Sequence, residues 1–374
     1  MKIKVAGKQI VLGEYAVLEA CQRGLVMTIN RFLTVSIEPS YQYSIVSDEF
    51  SEILYWTVEN GVVSELYGET GVKKKTEFLR QGIQIALTYI EEKGLSLGVC
   101  KMEITSELKE SRSGLKYGLG SSAALVVGVI KALLKFCTAK ADLSTLEINK
   151  VMGNRKYEAR LSFKDLLFRL GLIAHYKAQG NGSGIDVAAS VYEGLILYES
   201  LDQEWILKQL EGEYRLRDLV EMKWPCGYVR HLSLPSDIEF LIGWTGEKAD
   251  SKVFIEAYNK AKKDKPYIYN DFIERSNISI DLFIKACLTD NSQLIIKAIK
   301  EQRLNLTMMG KALGIEIETL KLSQLCDDFK LIGEAKLSGA GGGDCGIGFY
   351  LMKHKNRLPI VLDQWRKNGI IAIT

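Results

Sequence analysis

The chain has 374 residues, of which 47% are hydrophobic, and its 49 lysines and arginines nearly balance 46 aspartates and glutamates. This length exceeds what one hydrophobic core usually holds, so the sequence predicts two domains, and the apolar content argues against disorder. A formal net charge of +3 argues against a broad nucleic-acid-binding surface but allows local basic pockets for anionic small molecules.

Seven cysteines are scattered along the chain and never form a C-x-x-C pair. Neither a disulfide framework nor a zinc site is therefore indicated, and reduced thiols in a cytoplasmic protein are expected. The N-terminus lacks the basic and apolar segments of a signal peptide, and the longest apolar stretches fall short of a membrane span. These features predict a soluble cytoplasmic protein with no membrane and no nucleic acid among its partners.

The first predicted elements are strands interrupted by glycine. Alternating and β-branched residues predict strands in three places, over 3–5, 10–12 and 32–37. Between the first two lies the segment AGKQIVLGEYAV (6–17), in which Lys8, Glu14 and Tyr15 stand close to glycines. At a turn, such side chains would meet a ligand, and the alternative is a set of exposed loop charges without that role.

The next segment, 40–75, predicts surface hairpins. Within it, Trp56 is expected to lie half-buried in a sheet, with stacking on a nucleotide base as the alternative. A helix is predicted over 76–93, because apolar residues recur on one face and Gly94 follows its end. A strand over 99–105 then leads through charged residues towards a glycine turn.

That turn opens an apolar helix in the sequence KYGLGSSAALVVGVIKALLKF (116–136). Gly118 and Gly120 let the backbone turn where a Cβ would clash, and Ser121 and Ser122 fall at the cap and first turn of the helix. Unpaired N–H groups and the positive end of the helix dipole gather there, so the segment predicts a phosphate site. The alternative is an ordinary serine-capped core helix.

A second glycine turn, AHYKAQGNGSGIDVAAS (174–190), ends a helix-prone region that spans 141–177. Asp186 emerges from this turn just ahead of a run of small residues. Two interpretations are open for it: the N-cap of the next helix, which the sequence favours, and a general base directed into a cleft. A strand over 194–198 then closes the first domain.

The predicted domains are 1–230 and 231–374, because an irregular span reaches to about residue 235. The elements predicted in the second domain are a strand over 239–244, helices over 249–263, 271–289, 291–312 and 316–328, a strand over 331–337, a strand over 347–351, a helix over 358–367 and a strand over 370–373. This order resembles a split β-α-β domain. Glycines in KLSGAGGGDCGIGFYLM (336–352) precede a strand, which favours close backbone approach to a ligand over dinucleotide binding.

Three glycine-bearing segments, 6–17, 118–124 and 338–346, together and in this order resemble the three signature motifs of the GHMP kinases, and no Walker A sequence occurs. The resemblance runs nearly end to end. It implies an α+β, two-domain GHMP kinase fold, with a ribosomal protein S5 domain 2-like N-terminal domain and a ferredoxin-like C-terminal domain. Finer detail in KYGLGSSAA, QGNGSGIDVAAS, GWTGEKADS, SGAGGGDCGIG and GEYAV resembles the branch of that family that acts on 5-phosphomevalonate.

The resemblance implies a kinase that transfers the γ-phosphoryl group of ATP to the phosphate of (R)-5-phosphomevalonate. The products would be (R)-5-diphosphomevalonate and ADP, in the mevalonate pathway to isopentenyl diphosphate. ATP, 5-phosphomevalonate and Mg²⁺ would be its ligands, and the protein would be a monomer or a homodimer.

The same resemblance implies which residues form the site. Lys8 and Asp186 match the residues that flank the reacting phosphates in the family. The residues that match the nucleotide phosphate loop are Gly118, Leu119, Gly120, Ser121, Ser122, Ala123 and Ala124, with the Ser122 hydroxyl near Mg²⁺. The substrate-side candidates are Tyr15, Glu14, Lys116 and Ser183, together with Ser338, Gly339, Ala340, Gly341, Gly342 and Gly343 of the third motif.

Two departures from the wider family are present. His175 stands eleven residues before Asp186, where mevalonate kinase-like members carry a metal-binding glutamate. Mg²⁺ is therefore left with fewer protein ligands, water and phosphate oxygens could fill its shell, and His175 is expected to be a helix residue without catalytic duty. Lys116 is the second departure, and an extra cation there would suit a substrate that bears a carboxylate and a phosphate.

Three alternative functions remain open on the sequence. Mevalonate kinase and an ATP-dependent diphosphomevalonate decarboxylase are rival enzymes on the same fold. A non-catalytic GHMP-like sensor is a rival of another class, and the presence of both Lys8 and Asp186 argues against it.

Overall fold

A computed structural model of the protein describes residues 1–50, 52–68, 73–110, 113–138, 161–180, 182–212, 214–247 and 251–373, apart from the side chains of 73–75 and 251–252. The predicted hairpin region (40–75) and helix-prone region (141–177) are therefore described in part. Residues 181 and 248–250, which belong to two of the quoted motifs, lie outside the described residues.

The first domain is built on a large, mostly antiparallel sheet. The strands described in this part of the chain are β1 (Lys2–Leu12), β2 (Arg23–Pro39), β3 (Ser44–Ser47), β4 (Leu54–Tyr55), β5 (Val58–Glu59), β6 (Val62–Val63), β7 (Cys100–Ser106), β8 (Leu195–Glu199) and β9 (Val229–Leu232). The sheet has the order β4-β3-β7-β2-β8-β9, with β1 paired along β2, and β5 and β6 form a separate hairpin. Trp56, expected to be half-buried, is fully buried and stacks on Tyr43 with ring centroids 4.0 Å apart.

One correction concerns β1, which is a single strand rather than two strands separated by a turn. Its pairing with β2 shifts register between Ala6 and Lys8, and this bulge carries the chain past Gly7 without a turn. A Cβ on Gly7 would lie 2.6 Å from the Leu108 side chain, so the close approach needs glycine. Lys8 therefore projects from a strand, and its side chain is buried.

Six α-helices are described in the first domain. They are α1 (Lys73–Glu92), α2 (Ser121–Thr138), α3 (Phe163–Gln179), α4 (Ile185–Tyr192), α5 (Gln203–Glu211) and α6 (Leu216–Glu221). The central helix, α2, packs on β1 and β2 and contacts both α1 and α3. By length and composition it is apolar enough to cross a membrane, contrary to the expectation that no stretch is, but most of it is buried as the core helix of this domain.

The second domain has the ferredoxin-like order that the resemblance implied. Its elements are β10 (Ile238–Trp244), α7 (Ser251–Asp264), α8 (Pro266–Thr289), α9 (Ser292–Leu313), α10 (Leu320–Phe329), β11 (Gly333–Ser338), β12 (Cys345–Leu351), α11 (Leu358–Lys367) and β13 (Ile371–Ile373). The strands form an antiparallel sheet in the order β11-β12-β10-β13. The expected boundary between residues 230 and 231 falls inside β9, so we propose to place it between β9 and β10.

A second correction concerns the cysteines. Cys21 and Cys226 form a disulfide, with Cα atoms 5.5 Å apart, although 205 positions separate them in the sequence. The sequence predicted reduced thiols throughout, because spacing along the chain does not show which loops the fold brings together. The first loop is held at this place in part by a hydrogen bond from the Cys21 N–H to the Ser200 carbonyl oxygen (3.0 Å).

Candidate active site

A cavity of about 210 Å³ lies where the first sheet meets the second domain. Lys8 enters it from β1, and Ser183 and Asp186 enter it from the second glycine turn and the start of α4. Gly118 of the phosphate turn lines the same cavity, and residues 338–341 close it from the second domain. The fold thus brings all three glycine-bearing segments to one place.

The side chains of Lys8 and Asp186 form the electrostatic centre of this cavity. Burial alone would raise the pKa of Asp186, but attraction from Lys8 and His175 holds this pKa below its ordinary value, so the carboxylate is ionised at neutral pH. The Lys8 stem lies across Gly120, where a built Cβ would be 2.9 Å from Lys8 Cε. The Lys8 side chain therefore lies against the phosphate turn, and its positive charge acts on the Asp186 carboxylate.

The favoured interpretation of Asp186 as an N-cap is wrong. Gly184 occupies the N-cap of α4 with a positive φ of 77°, and Asp186 lies in the first turn, on the cavity side. Glycine is suited to this position because the left-handed conformation is costly for other residues. With the cap filled by Gly184, the carboxylate of Asp186 is left to face Lys8.

The phosphate turn is shaped by glycines with positive φ. Gly118 and Gly120 have φ angles of 77° and 76°. The Gly120 carbonyl oxygen accepts a hydrogen bond from the Ala124 N–H (3.1 Å), so Gly120 takes the cap position that was expected for Ser121. The Leu119, Ala123 and Ala124 side chains are buried, so a ligand would meet these residues through their backbone.

Two further cavities adjoin this turn. One, of about 70 Å³, is lined by Ser121 and Ser122 together with the rings of Phe50 and Phe78. The other, of about 300 Å³, runs from Lys116 to Trp244. Lys116 borders both of these and not the cavity of Lys8, and its ammonium lies 3.5 Å from Glu49 Oε2.

His175 occupies a position that the sequence did not assign to the site. It is 5% exposed, lines the cavity of Lys8 and Asp186, and its Nε2 lies 3.3 Å from Ser122 Oγ. Burial lowers the pKa of His175, with Asp186 acting in the opposite direction. Its spacing of eleven residues before Asp186 was the available signal.

The third motif divides into residues that face the cavity and residues that support it. Ser338, Gly339, Ala340 and Gly341 line the cavity, whereas Gly342 and Gly343 are absent from its described lining. The Tyr15 hydroxyl donates a hydrogen bond to the Ala340 carbonyl oxygen, which holds the motif against the first domain.

The last two glycines of the motif are needed for packing. A Cβ on Gly342 would lie 2.2 Å from the Phe254 ring, and a Cβ on Gly343 would lie 3.0 Å from the Glu247 carbonyl oxygen. Gly342 and Gly343 therefore form the back of the turn, where a larger residue would displace its neighbours.

Glu14 contacts a residue of the second domain. Its carboxylate forms an ion pair with Lys336 on β11, and both side chains are fully buried. Gln302 of α9 donates a further hydrogen bond to Glu14 Oε2 (3.3 Å). Burial raises the pKa of Glu14, against the attraction of Lys336. Glu14 therefore joins the two domains, and both Glu14 and Tyr15 line the cavity of Lys8.

Family models match both halves of the chain. The model described as GHMP kinases N terminal domain matches residues 81–194, and the model described as GHMP kinases C terminal matches residues 283–371, together more than half of the chain. The chain belongs to the GHMP kinase family. The two-domain fold is that of this family.

Individual relatives match almost the whole of this GHMP kinase. A phosphomevalonate kinase from a Streptomyces species is 26% identical over 98% of this chain and 94% of its own length. The crystal structure of the Lin0012 protein from Listeria innocua is 31% identical, with a TM-score of 0.86, and covers 100% of this chain and 96% of that one. A Streptococcus pneumoniae phosphomevalonate kinase in complex with phosphomevalonate and AMPPNP is 25% identical, with a TM-score of 0.80, and covers 100% and 98%.

Asp344 is a further residue that sequence reasoning missed in this GHMP kinase. It lines both the cavity of Lys8 and the 300 Å³ cavity, and a Cβ built on Gly118 would lie 2.9 Å from its Oδ2. Its φ of 50° is unusual for a residue other than glycine. The available signal was its place directly after the glycines of the third motif.

The residues around the phosphate turn could supply some, but not all, of the ligands of a magnesium ion. Within the described ranges, no three His, Cys, Asp or Glu side chains are grouped as a metal site. Oxygen donors of the class that Mg²⁺ prefers are nevertheless present in the Ser122 hydroxyl and in the carboxylates of Asp186 and Asp344. An ion held there would need phosphate oxygens and water to complete its shell.

Proposed function

We propose that this GHMP kinase is a phosphomevalonate kinase. It transfers the γ-phosphoryl group of ATP to the phosphate of (R)-5-phosphomevalonate and releases (R)-5-diphosphomevalonate and ADP. The observation that carries the proposal is the cavity that brings Lys8, Asp186 and Gly118 together, in a chain that is similar over nearly its whole length to a phosphomevalonate kinase.

The nucleotide end of the proposed site lies along the start of α2. The rings of Phe50 and Phe78 offer apolar walls for a base beside Ser121 and Ser122. The free N–H groups at the start of α2 and the positive end of its dipole then meet the phosphates, while Gly118 and Gly120 allow close approach of the backbone. This arrangement directs the terminal phosphate towards Lys8.

Lys8 supplies positive charge where the phosphoryl group moves. Phosphoryl transfer depends mainly on in-line positioning and on cations and N–H donors around spreading negative charge. The acceptor is itself a phosphate that is already ionised at neutral pH, so proton removal contributes less than it does for an alcohol. Asp186 therefore orients Lys8 or accepts the proton of the residual monoanion, and both roles are compatible with the geometry.

Mg²⁺ is the proposed cofactor. When bound, it would supply positive charge that offsets the negative charge of the ATP phosphates. Ser122, Asp186 and Asp344 are the residues that would hold it, through one hydroxyl and two carboxylates. We assign the phosphomevalonate side of the cavity to Ser183 and to the backbone of 339–341, which line it.

We also propose that the protein is cytoplasmic and acts as a monomer or a homodimer, with ATP and 5-phosphomevalonate as its partners. Size-exclusion chromatography with light scattering gives the oligomeric state.

The assignment as a phosphomevalonate kinase is tested by measuring ADP release with mevalonate, 5-phosphomevalonate and 5-diphosphomevalonate offered separately. Turnover only with 5-phosphomevalonate is expected. Turnover with mevalonate would favour a mevalonate kinase, and ATP binding without turnover on any of the three would favour a sensor.

A further inference from the structure

One hydrogen bond crosses the wall between two cavities of the site. Ser122 lines the small cavity beside Phe50 and Phe78, whereas His175 lines the cavity that holds Lys8. The 3.3 Å contact between Ser122 Oγ and His175 Nε2 joins the two sides. In the proposed function, the small cavity takes the nucleotide and the other takes the acceptor, so this contact lies near the path of the transferred group.

The surroundings of His175 fix its ring. The residue lies on α3, is 5% exposed, and its ring centroid is 5.0 Å from that of Phe78. In a neutral imidazole ring one nitrogen donates and the other accepts, so Nε2 is an acceptor when Nδ1 carries the proton. A serine hydroxyl rotates to suit its partners, so a fixed acceptor beside it determines where the oxygen lone pairs point.

We propose that His175 is a positioning residue whose Nε2 accepts the hydroxyl proton of Ser122 and thereby turns the Ser122 oxygen towards Mg²⁺ and the nucleotide phosphates. This inference rests on the proposed function, because it assigns the nucleotide and its metal to the Ser122 side of the wall. The role is indirect, since His175 acts through Ser122. Partners that orient a metal ligand commonly change metal affinity by tenfold or more when they are removed.

Calorimetric titration of ADP, with Mg²⁺ and with EDTA, tests this role independently of turnover. His175→Leu removes the acceptor and should raise the Kd of ADP about tenfold with Mg²⁺, and by less than about twofold without metal, since only the metal contact is lost. His175→Gln places a carbonyl oxygen near the same point and should restore most of the affinity. In a Ser122→Ala background, His175→Leu should add no further loss, because both changes remove one interaction.

Tyr176→Phe is the matched control, because it changes a buried polar side chain on the same helix that does not line the two cavities. It should leave the ratio of the two Kd values unchanged, and thermal melting of each variant checks that it is folded. Equal loss of affinity with and without Mg²⁺ in His175→Leu, or losses that add in the double variant, would overturn the proposal. Failure of the proposed function would give a different result. The variants would change the Kd of Mg²⁺–ADP as predicted, and yet the wild type would leave 5-phosphomevalonate unphosphorylated.

Discussion

Replacing Lys336 by methionine should destabilise the protein strongly, although Lys336 lies behind the site. Lys336 and Glu14 are both fully buried and form an ion pair across the domains, with a further hydrogen bond from Gln302 to Glu14. The variant keeps much of the apolar stem but leaves the Glu14 carboxylate buried without its cation. Removing one partner of such a pair typically costs about 3–5 kcal/mol.

The loss of stability in Lys336→Met should depend on pH, and the protonation of Glu14 determines the direction of that dependence. Burial already raises the pKa of Glu14, and Lys336→Met removes the attraction that opposes this rise. A carboxyl group whose pKa is higher in the folded than in the unfolded protein binds a proton on folding. The stability of the variant should therefore fall as the pH rises from the usual carboxyl range through the raised pKa of Glu14, and it should recover as the pH falls below that raised pKa.

Urea denaturation at several pH values measures both effects. The control is Lys355→Met, which breaks the exposed pair between Lys355 and Glu239 (2.8 Å) and should cost at most about 1 kcal/mol. A double variant, Glu14→Gln with Lys336→Met, removes both charges and should regain much of the loss. A cost for Lys336→Met no larger than that of the control, or one independent of pH, would refute the view that this pair joins the domains.

Three further predictions concern the reacting groups and the cysteines. Lys8→Met should lower the turnover number at least about a hundredfold while the Michaelis constants change far less; a raised Michaelis constant for 5-phosphomevalonate with normal turnover would make Lys8 an anchor instead. Asp186→Asn should lower turnover by about a hundredfold or more with nearly unchanged ATP affinity and melting temperature, and unfolding with full activity per folded molecule would contradict this. Thiol titration of the denatured, unreduced protein should find five thiols, with seven after reduction of the Cys21–Cys226 bond, and seven before reduction would disprove the disulfide.

The sequence predicted best the features that depend on neighbouring residues. The helix after Gly120 is marked by local signals, namely glycines that turn the chain and an apolar repeat that follows them. The same holds for most helices of the second domain, whose ends were predicted to within a few residues, and for the order of its strands and helices along the chain. The three motifs of the family are also short segments, and their order along the chain made them recognisable together.

Features that depend on distant pairing were missed or misjudged. The chain near Lys8 resembled a turn because of its glycine, whereas pairing with β2 keeps it in a strand. Lys336 and Asp344 meet the first domain only after the two sheets assemble, and the Cys21–Cys226 bond depends on the same long-range packing. Their partners lie hundreds of positions away in the sequence, which local patterns do not report.

Phosphorus NMR of a reaction mixture tests the central claim most directly, because it identifies the bond that forms. With ATP, Mg²⁺ and 5-phosphomevalonate, the phosphate monoester signal should be replaced by the two coupled signals of a diphosphate as ADP appears, and Lys8→Met should leave the monoester signal essentially unchanged over the same time. Loss of ATP to inorganic phosphate while the monoester signal of the wild-type reaction persists would contradict the assignment of this GHMP kinase as a phosphomevalonate kinase.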